Sequence, residues 1–286
     1  MFEGFTERTI ETSGAEIHLR AGGGGPPLLL LHGFPQTHVA WHQIAPGLAR
    51  THSVVAADLR GYGGSTSKGP FDKRAMAQDM LEVMRALGHE RFAVIGHDRG
   101  ARAAYRLALD HPQAVIRLAV LDVVPTLSMW RAMDAALAAA NWHWLFLAQP
   151  APFPEEILAA APDRFLEHFL RDWSADRSRI APPAVQAYAR AFRKKEVIRA
   201  FCEDYRAGAT ADLAHDAADE AAGHRIACPL LALWSKSSAD LRKLDPLPVW
   251  RAWAAEVSGQ PIDCGHFMPE EAPEEVSALL QAFLVP

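Results

Sequence analysis

The stretch "VIGHDRGARAAYRLALDHP", residues 94–112, joins an apolar run to a helix-forming run through Gly-His-Asp-Arg-Gly. Gly96 and Gly100 flank Asp98 with the spacing G-x-Nu-x-G, which is typical of a sharp strand-to-helix turn that carries a nucleophile. Glycine suits both positions because the turn leaves no room for a side chain. The central residue of this motif is commonly Ser, but here it is Asp98, and Arg99 follows it. The stretch predicts a strand, a tight turn presenting Asp98, and a helix.

Size and charge narrow the possible classes of protein. The chain has 286 residues, half of them hydrophobic, which is enough for one large core or a core with a smaller domain. Its net charge of −5 is spread over both signs without a basic run, which argues against a nucleic-acid partner. Residues 132–150 are the one stretch to test as a membrane span, and Asp134, Asn141 and His143 within it argue against that reading.

Cysteine usage and the first residues bear on the compartment. The three cysteines are scattered and contain no C-x-x-C pair, which favours a reducing compartment and predicts neither disulfides nor a zinc site: Cys202, Cys228 and Cys264. The first ten residues, "MFEGFTERTI", are too polar for a signal peptide. We therefore expect a cytoplasmic protein that does not bind to a membrane.

The apolar runs alternate with helix-like segments. Runs at 26–34, 53–61, 91–97 and 115–125 are typical of buried strands, and the segments between them show helical spacing. This βαβ series predicts a parallel sheet with helices on both faces. Residues 126–225 are Ala-rich and contain no strand-like run, so we interpret them as a helical cap inserted into the sheet domain. The predicted division is 1–125 and 226–286 for the two parts of the sheet domain, with 126–225 as the cap.

Three side chains follow predicted strands in the order nucleophile, acid, histidine. They are Asp98, Asp122 and His266, and this order is the one that hydrolases built on such a sheet require. Each residue alone is more often structural, but the three together favour a catalytic triad. Asp240, after the strand-like run at 228–235, is a competing candidate for the acid.

The arginines beside Asp98 indicate an anionic substrate. On a helix that begins near Gly100, Arg99 and Arg102 are three residues apart and can share one face. An anion approaching the carboxylate of Asp98 would be repelled by ~4 kcal/mol at about 4 Å and an effective dielectric near 20. Two guanidinium groups could bind a substrate carboxylate and offset this repulsion. The alternative interpretations are an Asp98–Arg102 ion pair or surface arginines.

Four motifs together identify a family resemblance. "HGFPQTHVAWHQIAPGLA" (32–49), "DLRGYG" (58–63), "GHDRGAR" (96–102) and "NWHW" (141–144) resemble the haloacetate (fluoroacetate) dehalogenases of the α/β-hydrolase superfamily. HGFP and the elbow occur also in epoxide hydrolases, whereas DRGAR together with NWHW is more specific. The resemblance implies an α/β-hydrolase fold with a mostly parallel eight-stranded sheet and an inserted helical cap. It also implies hydrolysis of small 2-haloacids through an ester on Asp98, without a cofactor or metal, by a homodimer.

The resemblance assigns further roles. It implies backbone N–H groups of Phe34 and Arg99 as oxyanion donors, and three cap residues as halide donors: His143, Trp144 and Tyr205. "NWHW" by itself is more typical of aromatic core packing, and "EDYRAGA" around Tyr205 of an ordinary helix. Trp173 and His32 are expected to line the pocket, since Trp173 lies in the predicted cap and His32 ends a predicted strand.

Two other functions remain open on the sequence. An epoxide hydrolase would share the Asp nucleophile but needs two cap tyrosines, for which only Tyr188 and Tyr205 are available. A non-catalytic ligand receptor would need a pocket but no triad, so the set Asp98, Asp122 and His266 argues against it.

Overall fold

The apolar runs form the centre of a nine-stranded sheet in the computed structural model, which describes residues 1–285 except the side chains of residues 239, 240 and 242. The strands are β1 Thr6–Glu11, β2 Ala15–Gly23, β3 Pro27–Leu31, β4 Ser53–Ala57, β5 Thr66–Ser67, β6 Phe92–His97, β7 Val115–Leu121, β8 Leu230–Ser235 and β9 Val257–Ile262. Their order across the sheet is β1-β2-β4-β3-β6-β7-β8-β9, and β5 pairs with β2.

The sheet is mostly parallel, as predicted. Every pairing from β4 to β9 is parallel, whereas β2 pairs antiparallel with β1, β4 and β5. The strand order from β1 to β9 given above contains the expected eight strands, and the two-residue β5 at its side is the ninth. The sequence pattern predicts no strand before residue 26, because β1 is largely exposed and lacks a buried apolar run.

Fifteen α-helices accompany the sheet in the described part of the chain. They are α1 Ala45–Leu48, α2 Lys73–Ala86, α3 Arg99–Asp110, α4 Thr126–Ala132, α5 Ala135–Ala140, α6 Trp142–Leu147, α7 Phe153–Ala160, α8 Pro162–Trp173, α9 Pro182–Phe192, α10 Lys195–Gly208, α11 Ala211–Ala222, α12 Ala239–Leu244, α13 Pro246–Trp253, α14 Met268–Glu271 and α15 Pro273–Leu284. Short 3₁₀ helices form at His38–Trp41 and Arg177–Arg179.

The core lies on both faces of the sheet. Alternate residues of β3 separate the faces, since Leu29 and Leu31 belong to one hydrophobic cluster while Leu28 and Leu30 belong to the other. The first cluster includes the buried sides of α2 and α3, and the second includes that of α15. Helices therefore cover both faces, as the βαβ pattern predicts, and the carboxyl ends of the parallel strands meet at one edge.

Helices α4 to α11 lie between β7 and β8, and no β-strand of the described residues interrupts them. We call α4–α11 the helical insertion. It falls inside the range 126–225 predicted for the cap, and the division into a sheet domain and a cap stays a prediction. None of the helices in the described part of the chain is long and apolar enough to span a membrane.

Candidate active site

Asp98 occupies the turn between β6 and α3. Its backbone has φ of +47°, a left-handed conformation that non-glycine residues rarely adopt, and its amide donates to the carbonyl oxygen of Leu121 at 3.1 Å. A Cβ at Gly100 would overlap the carbonyl oxygen of His32, so the flanking glycine lets α3 approach β3 closely. The strained turn holds the carboxylate of Asp98 at the carboxyl end of β6.

The carboxylate of Asp98 has one of the two predicted amide donors. The amide of Phe34 donates to Oδ1 of Asp98 at 2.8 Å, whereas the amide of Arg99 makes no such bond within the described residues. Burial would raise the pKa of the Asp98 carboxyl, but the charge of His266 and those of the neighbouring arginines outweigh it. The pKa therefore lies below its ordinary value of 3.8, and Asp98 is a carboxylate at neutral pH.

The structure brings Asp122 and His266 together. The Nδ1–H of His266 donates to Oδ2 of Asp122 at 2.6 Å, and the amide of Ser235 donates to Oδ1 of Asp122 at 2.8 Å. Burial would lower the pKa of His266, but its bond to Asp122 and the charges of Asp122 and Asp98 raise it above 6.5. Because Nδ1 carries the proton toward Asp122, Nε2 is the acceptor of the neutral ring. The side chain of Asp240, the competing acid, lies outside the described residues.

A cavity of about 370 Å³ lies over these groups. Seven residues that the sequence predicts for the site line it: Asp98, Arg102, Asp122, His143, Trp144, Trp173 and His266. Its other walls are supplied by residues such as Val124, Met129 and Leu241, which make part of the lining apolar. The cavity is thus formed between the carboxyl ends of the strands and the helical insertion.

Arg102 brings a positive charge to this cavity. Its Nη1 donates to the carbonyl oxygen of Val124 and to Oγ1 of Thr126, each at 3.0 Å, and its Nε has no partner among the described residues. The guanidinium stacks over the ring of Trp144, 4.6 Å from its centroid. Arg102 makes no ion pair with Asp98 or with another described carboxylate, although it is only 4% exposed. The alternative of an Asp98–Arg102 pair is therefore not what the structure shows.

Arg99 has different surroundings. Its guanidinium is fully buried, forms an ion pair with Asp204 and lies 4.4 Å from the centroid of the Tyr205 ring. It does not line the cavity, and among the described residues its Nη1 is left without a partner. Of the two arginines expected to bind the substrate carboxylate, the structure thus places Arg102 on the wall of the cavity and Arg99 away from it.

The three predicted halide donors surround the same region. His143 and Trp144 line the cavity, and the ring of Tyr205 lies 5.7 Å from that of His143 without lining the cavity itself. Burial lowers the pKa of His143 to about 3, with the charges of His266 and the arginines acting in the same direction. The imidazole of His143 is consequently neutral at physiological pH and can donate one N–H.

Comparison with known proteins decides the family. The sequence matches the family described as "alpha/beta hydrolase fold" over residues 26–273. The chain belongs to this family. It is 42% identical to a fluoroacetate dehalogenase from Burkholderia sp., over 99% of this chain and 95% of that protein. Identity to a soluble epoxide hydrolase from Corynebacterium sp. (strain C12) is 32%, over 98% of each chain.

A solved structure supports the same assignment. The chain resembles a protein from Nostoc sp. PCC 7120, described as an α/β hydrolase, with a TM-score of 0.97 and 50% identity over 100% of this chain and 99% of the other. The α/β-hydrolase fold and the family resemblance read from the sequence are therefore confirmed.

His32 is expected to line the pocket, but the structure does not place it on the wall of the cavity. In this α/β hydrolase its ring is fully buried; Nδ1–H donates to the carbonyl oxygen of Gly33 at 2.9 Å, and Nε2 accepts the amide of Leu59 at 3.1 Å. Both nitrogens thus bond to backbone, joining the chain after β3 to the chain after β4. A position at a strand end indicates that a side chain is near the site, but not which way it points.

Several residues of the site escaped sequence analysis. Asp204, Glu270 and Glu271 are buried carboxylates that contact Arg99, Gln36 and the His266 loop respectively. Acidic residues are normally exposed, so the sequence pattern would place all three in solvent. For Asp204 the sequence does offer a signal, because in "EDYRAGA" it directly precedes Tyr205, which is itself a predicted site residue.

Proposed function

We propose that the protein is a haloacetate dehalogenase, which hydrolyses the carbon–halogen bond of small 2-haloacids such as fluoroacetate and chloroacetate. The observation that carries this proposal is the buried guanidinium of Arg102, which lines the cavity with Asp98 and has no carboxylate partner among the described residues. A buried charge is costly unless it is paired, and a substrate carboxylate would supply the missing partner. The identity of 42% to a fluoroacetate dehalogenase supports the same substrate class.

The first step would form an alkyl ester on Asp98. Because Oδ1 is held by the amide of Phe34, Oδ2 is the oxygen free to attack the α-carbon of the haloacid. The new C–O bond forms as the C–halogen bond breaks, and the halide leaves with the bonding electron pair. His143 and Trp144, on the wall of the cavity, are the proposed donors to that halide, together with Tyr205. Charge-assisted bonds of this kind contribute about 1.5–3 kcal/mol each.

The second step would hydrolyse the ester. His266, oriented by Asp122, takes a proton from water, and the hydroxide attacks Cγ of Asp98. The negative charge then develops on Oδ1, where the amide of Phe34 already donates. Collapse of this intermediate releases the 2-hydroxyacid, whose oxygen takes the proton from His266. The carboxyl group left on Asp98 then loses the second water proton to solvent, which regenerates the carboxylate. This sequence needs no cofactor.

The test is the release of halide from fluoroacetate and chloroacetate, followed with an ion-selective electrode. The protein should release halide from both acids, and the Asp98→Asn variant should release none because a neutral amide is a poor nucleophile. Absence of halide with both substrates would overturn the proposal. We propose further that the protein is cytoplasmic and that its active form is a homodimer. Sedimentation at working concentration tests the homodimer, and a monomer there would contradict it.

Epoxide hydrolysis is the second candidate, supported by the 32% identity to a soluble epoxide hydrolase. Such chemistry would use two tyrosines to protonate the epoxide oxygen. Tyr188 is fully buried, accepts a bond from Nε2 of Gln36 at 3.4 Å and does not line the cavity. Of the two cap tyrosines in the described part of the chain, Tyr205 is therefore the one near the site, with its ring 5.7 Å from that of His143. Turnover of styrene oxide without activity on haloacids would favour this candidate.

A further inference from the structure

Glu271 joins the loop of the catalytic histidine to the helical insertion. Its carboxylate accepts four backbone N–H bonds: Oε2 from Ala175 at 2.7 Å, Asp176 at 3.2 Å and Gly265 at 3.1 Å, and Oε1 from Phe267 at 3.0 Å. Two of these donors flank His266, and the other two follow the end of α8. A buried side chain with four main-chain donors fixes the two segments relative to each other.

The two segments also touch without side chains between them. The amide of His266 donates to the carbonyl oxygen of Trp173 at 2.8 Å. At Gly265 a Cβ would overlap the amide of Ala175 and the carbonyl oxygen of Trp173, so only glycine allows this approach. The position of His266 is therefore set by the backbone just after α8.

The same backbone carries one wall of the cavity. The ring of Trp173 lies 4.6 Å from that of His143 and 5.4 Å from that of His266, measured between centroids. A shift of residues 173–176 would move both the wall and the histidine. The carboxylate of Asp98 is held separately, by the amide of Phe34 and by the turn after β6. The neighbouring His97 does reach the loop of His266, since its Nε2–H donates to the carbonyl oxygen of His266 at 2.8 Å.

We propose that Glu271 is a positioning residue for ester hydrolysis: it holds the His266 loop in register with the helical insertion so that the imidazole reaches the water that attacks Asp98. This inference rests on the proposed function, because it assigns Glu271 to the second of the two chemical steps. The first step uses neither His266 nor its loop. Loss of the carboxylate of Glu271 should therefore slow the decay of the ester and leave its formation unchanged.

The experiment compares Glu271→Gln with Glu274→Gln, a variant with the same charge change at an exposed position three residues further on. Each is mixed rapidly with chloroacetate, quenched, and analysed by mass for the adduct on Asp98. We expect Glu271→Gln to form the adduct within about twofold of the unmodified rate and to lose it about tenfold or more slowly, since small misplacements of a catalytic group are costly. Glu274→Gln should match the unmodified protein in both steps.

The inference is overturned if the ester lives equally long in Glu271→Gln and Glu274→Gln. It is also overturned if Glu271→Gln slows the formation and the decay of the ester by the same factor. The variant Glu271→Asp keeps the charge but is one methylene shorter, so its ester should decay at an intermediate rate. If Glu271→Gln does not fold, Glu271→Asp provides the test in its place. An ester lifetime in Glu271→Asp equal to that of the unmodified protein would then contradict the inference. Failure of the proposed function gives a different result, because the unmodified protein itself would then form no adduct and release no halide.

Discussion

Arg99 and Arg102 lie one turn apart on α3, but only Arg99 has a carboxylate partner within the described residues. Asp204 accepts bonds from Nε of Arg99 at 3.0 Å and from Nη2 at 2.5 Å, and it is also bonded to the hydroxyl of Tyr62 and the ammonium of Lys73. The charge of Arg99 is thus balanced inside the protein, whereas that of Arg102 remains available to a ligand. The two side chains should therefore respond differently to mutation.

Replacing Arg102 by Gln should reduce activity on a charged substrate more than activity on a neutral one. We expect kcat/KM for chloroacetate to fall about 10- to 150-fold, because a charge-assisted bond contributes about 1.5–3 kcal/mol. The effect on chloroacetamide, which is similar in size but uncharged, should be much smaller. Steady-state kinetics with both substrates provides the measurement, and Arg193→Gln, at an exposed arginine, is the control. Equal losses on the two substrates would show that Arg102 does not recognise the carboxylate.

Replacing Asp204 by Asn should reduce stability. The carboxylate of Asp204 is fully buried between Arg99 and Lys73, and removal of one member of a buried ion pair costs about 3–5 kcal/mol. Urea unfolding should show a drop of that order in the free energy of unfolding. Asp163→Asn, which removes the partner of Arg193 at the surface, should change it little. A similar small change in both variants would mean that the buried pair contributes no more than a surface pair.

The central sheet could be predicted because its strands are buried on both sides. β3, β4, β6, β7 and β8 each coincide with an apolar run, and the elbow at Asp98 is encoded locally by its flanking glycines. β1 could not be found in the same way, since its outward residues are polar and its pairing with β2 supplies the stability. Local pattern thus identifies elements that bury apolar residues and misses those that depend on partners.

The site also contains some residues that the sequence pattern predicts and others that it does not. The positions of Asp98, Asp122 and His266 at strand ends follow from the order of elements, so they could be proposed from the sequence. The pairing of Arg99 with Asp204 joins residues 105 positions apart, and no spacing rule connects them. The direction of His32 also depends on which backbone groups lie around it, which only the folded chain defines.

The pKa of His266 should fall when the ester forms. In the free protein burial lowers this pKa, but the bond and charge of Asp122 and the charge of Asp98 raise it above 6.5. Esterification removes the charge of Asp98, so one cause of the increase is lost. Because the base must be neutral, ester hydrolysis should rise with pH through a midpoint below that of His266 in the free protein.

Two titrations check this expectation. The free protein is followed by NMR of the His266 ring, and the ester by the rate at which the adduct disappears after mixing with chloroacetate, both over about pH 5 to 9. His143, with a pKa of about 3, remains neutral over that range and therefore does not contribute to the pH dependence of ester decay. A midpoint for ester decay equal to or above that of the free protein would contradict a role for the charge of Asp98.

The separate roles of Asp98 and His266 can be read from oxygen isotopes. If Oδ2 of Asp98 attacks the substrate, the product takes its oxygen from the carboxylate, and the water oxygen enters Asp98. A single turnover in ¹⁸O-water should therefore label Asp98 and leave the first product unlabelled. His266→Asn should still form the ester but hydrolyse it slowly, so an adduct on Asp98 should accumulate and be visible by mass, whereas Asp98→Asn should form none. Direct attack of water activated by His266 would instead give labelled product in the first turnover and no adduct in either variant, and Asp98 would then act only as an electrostatic group.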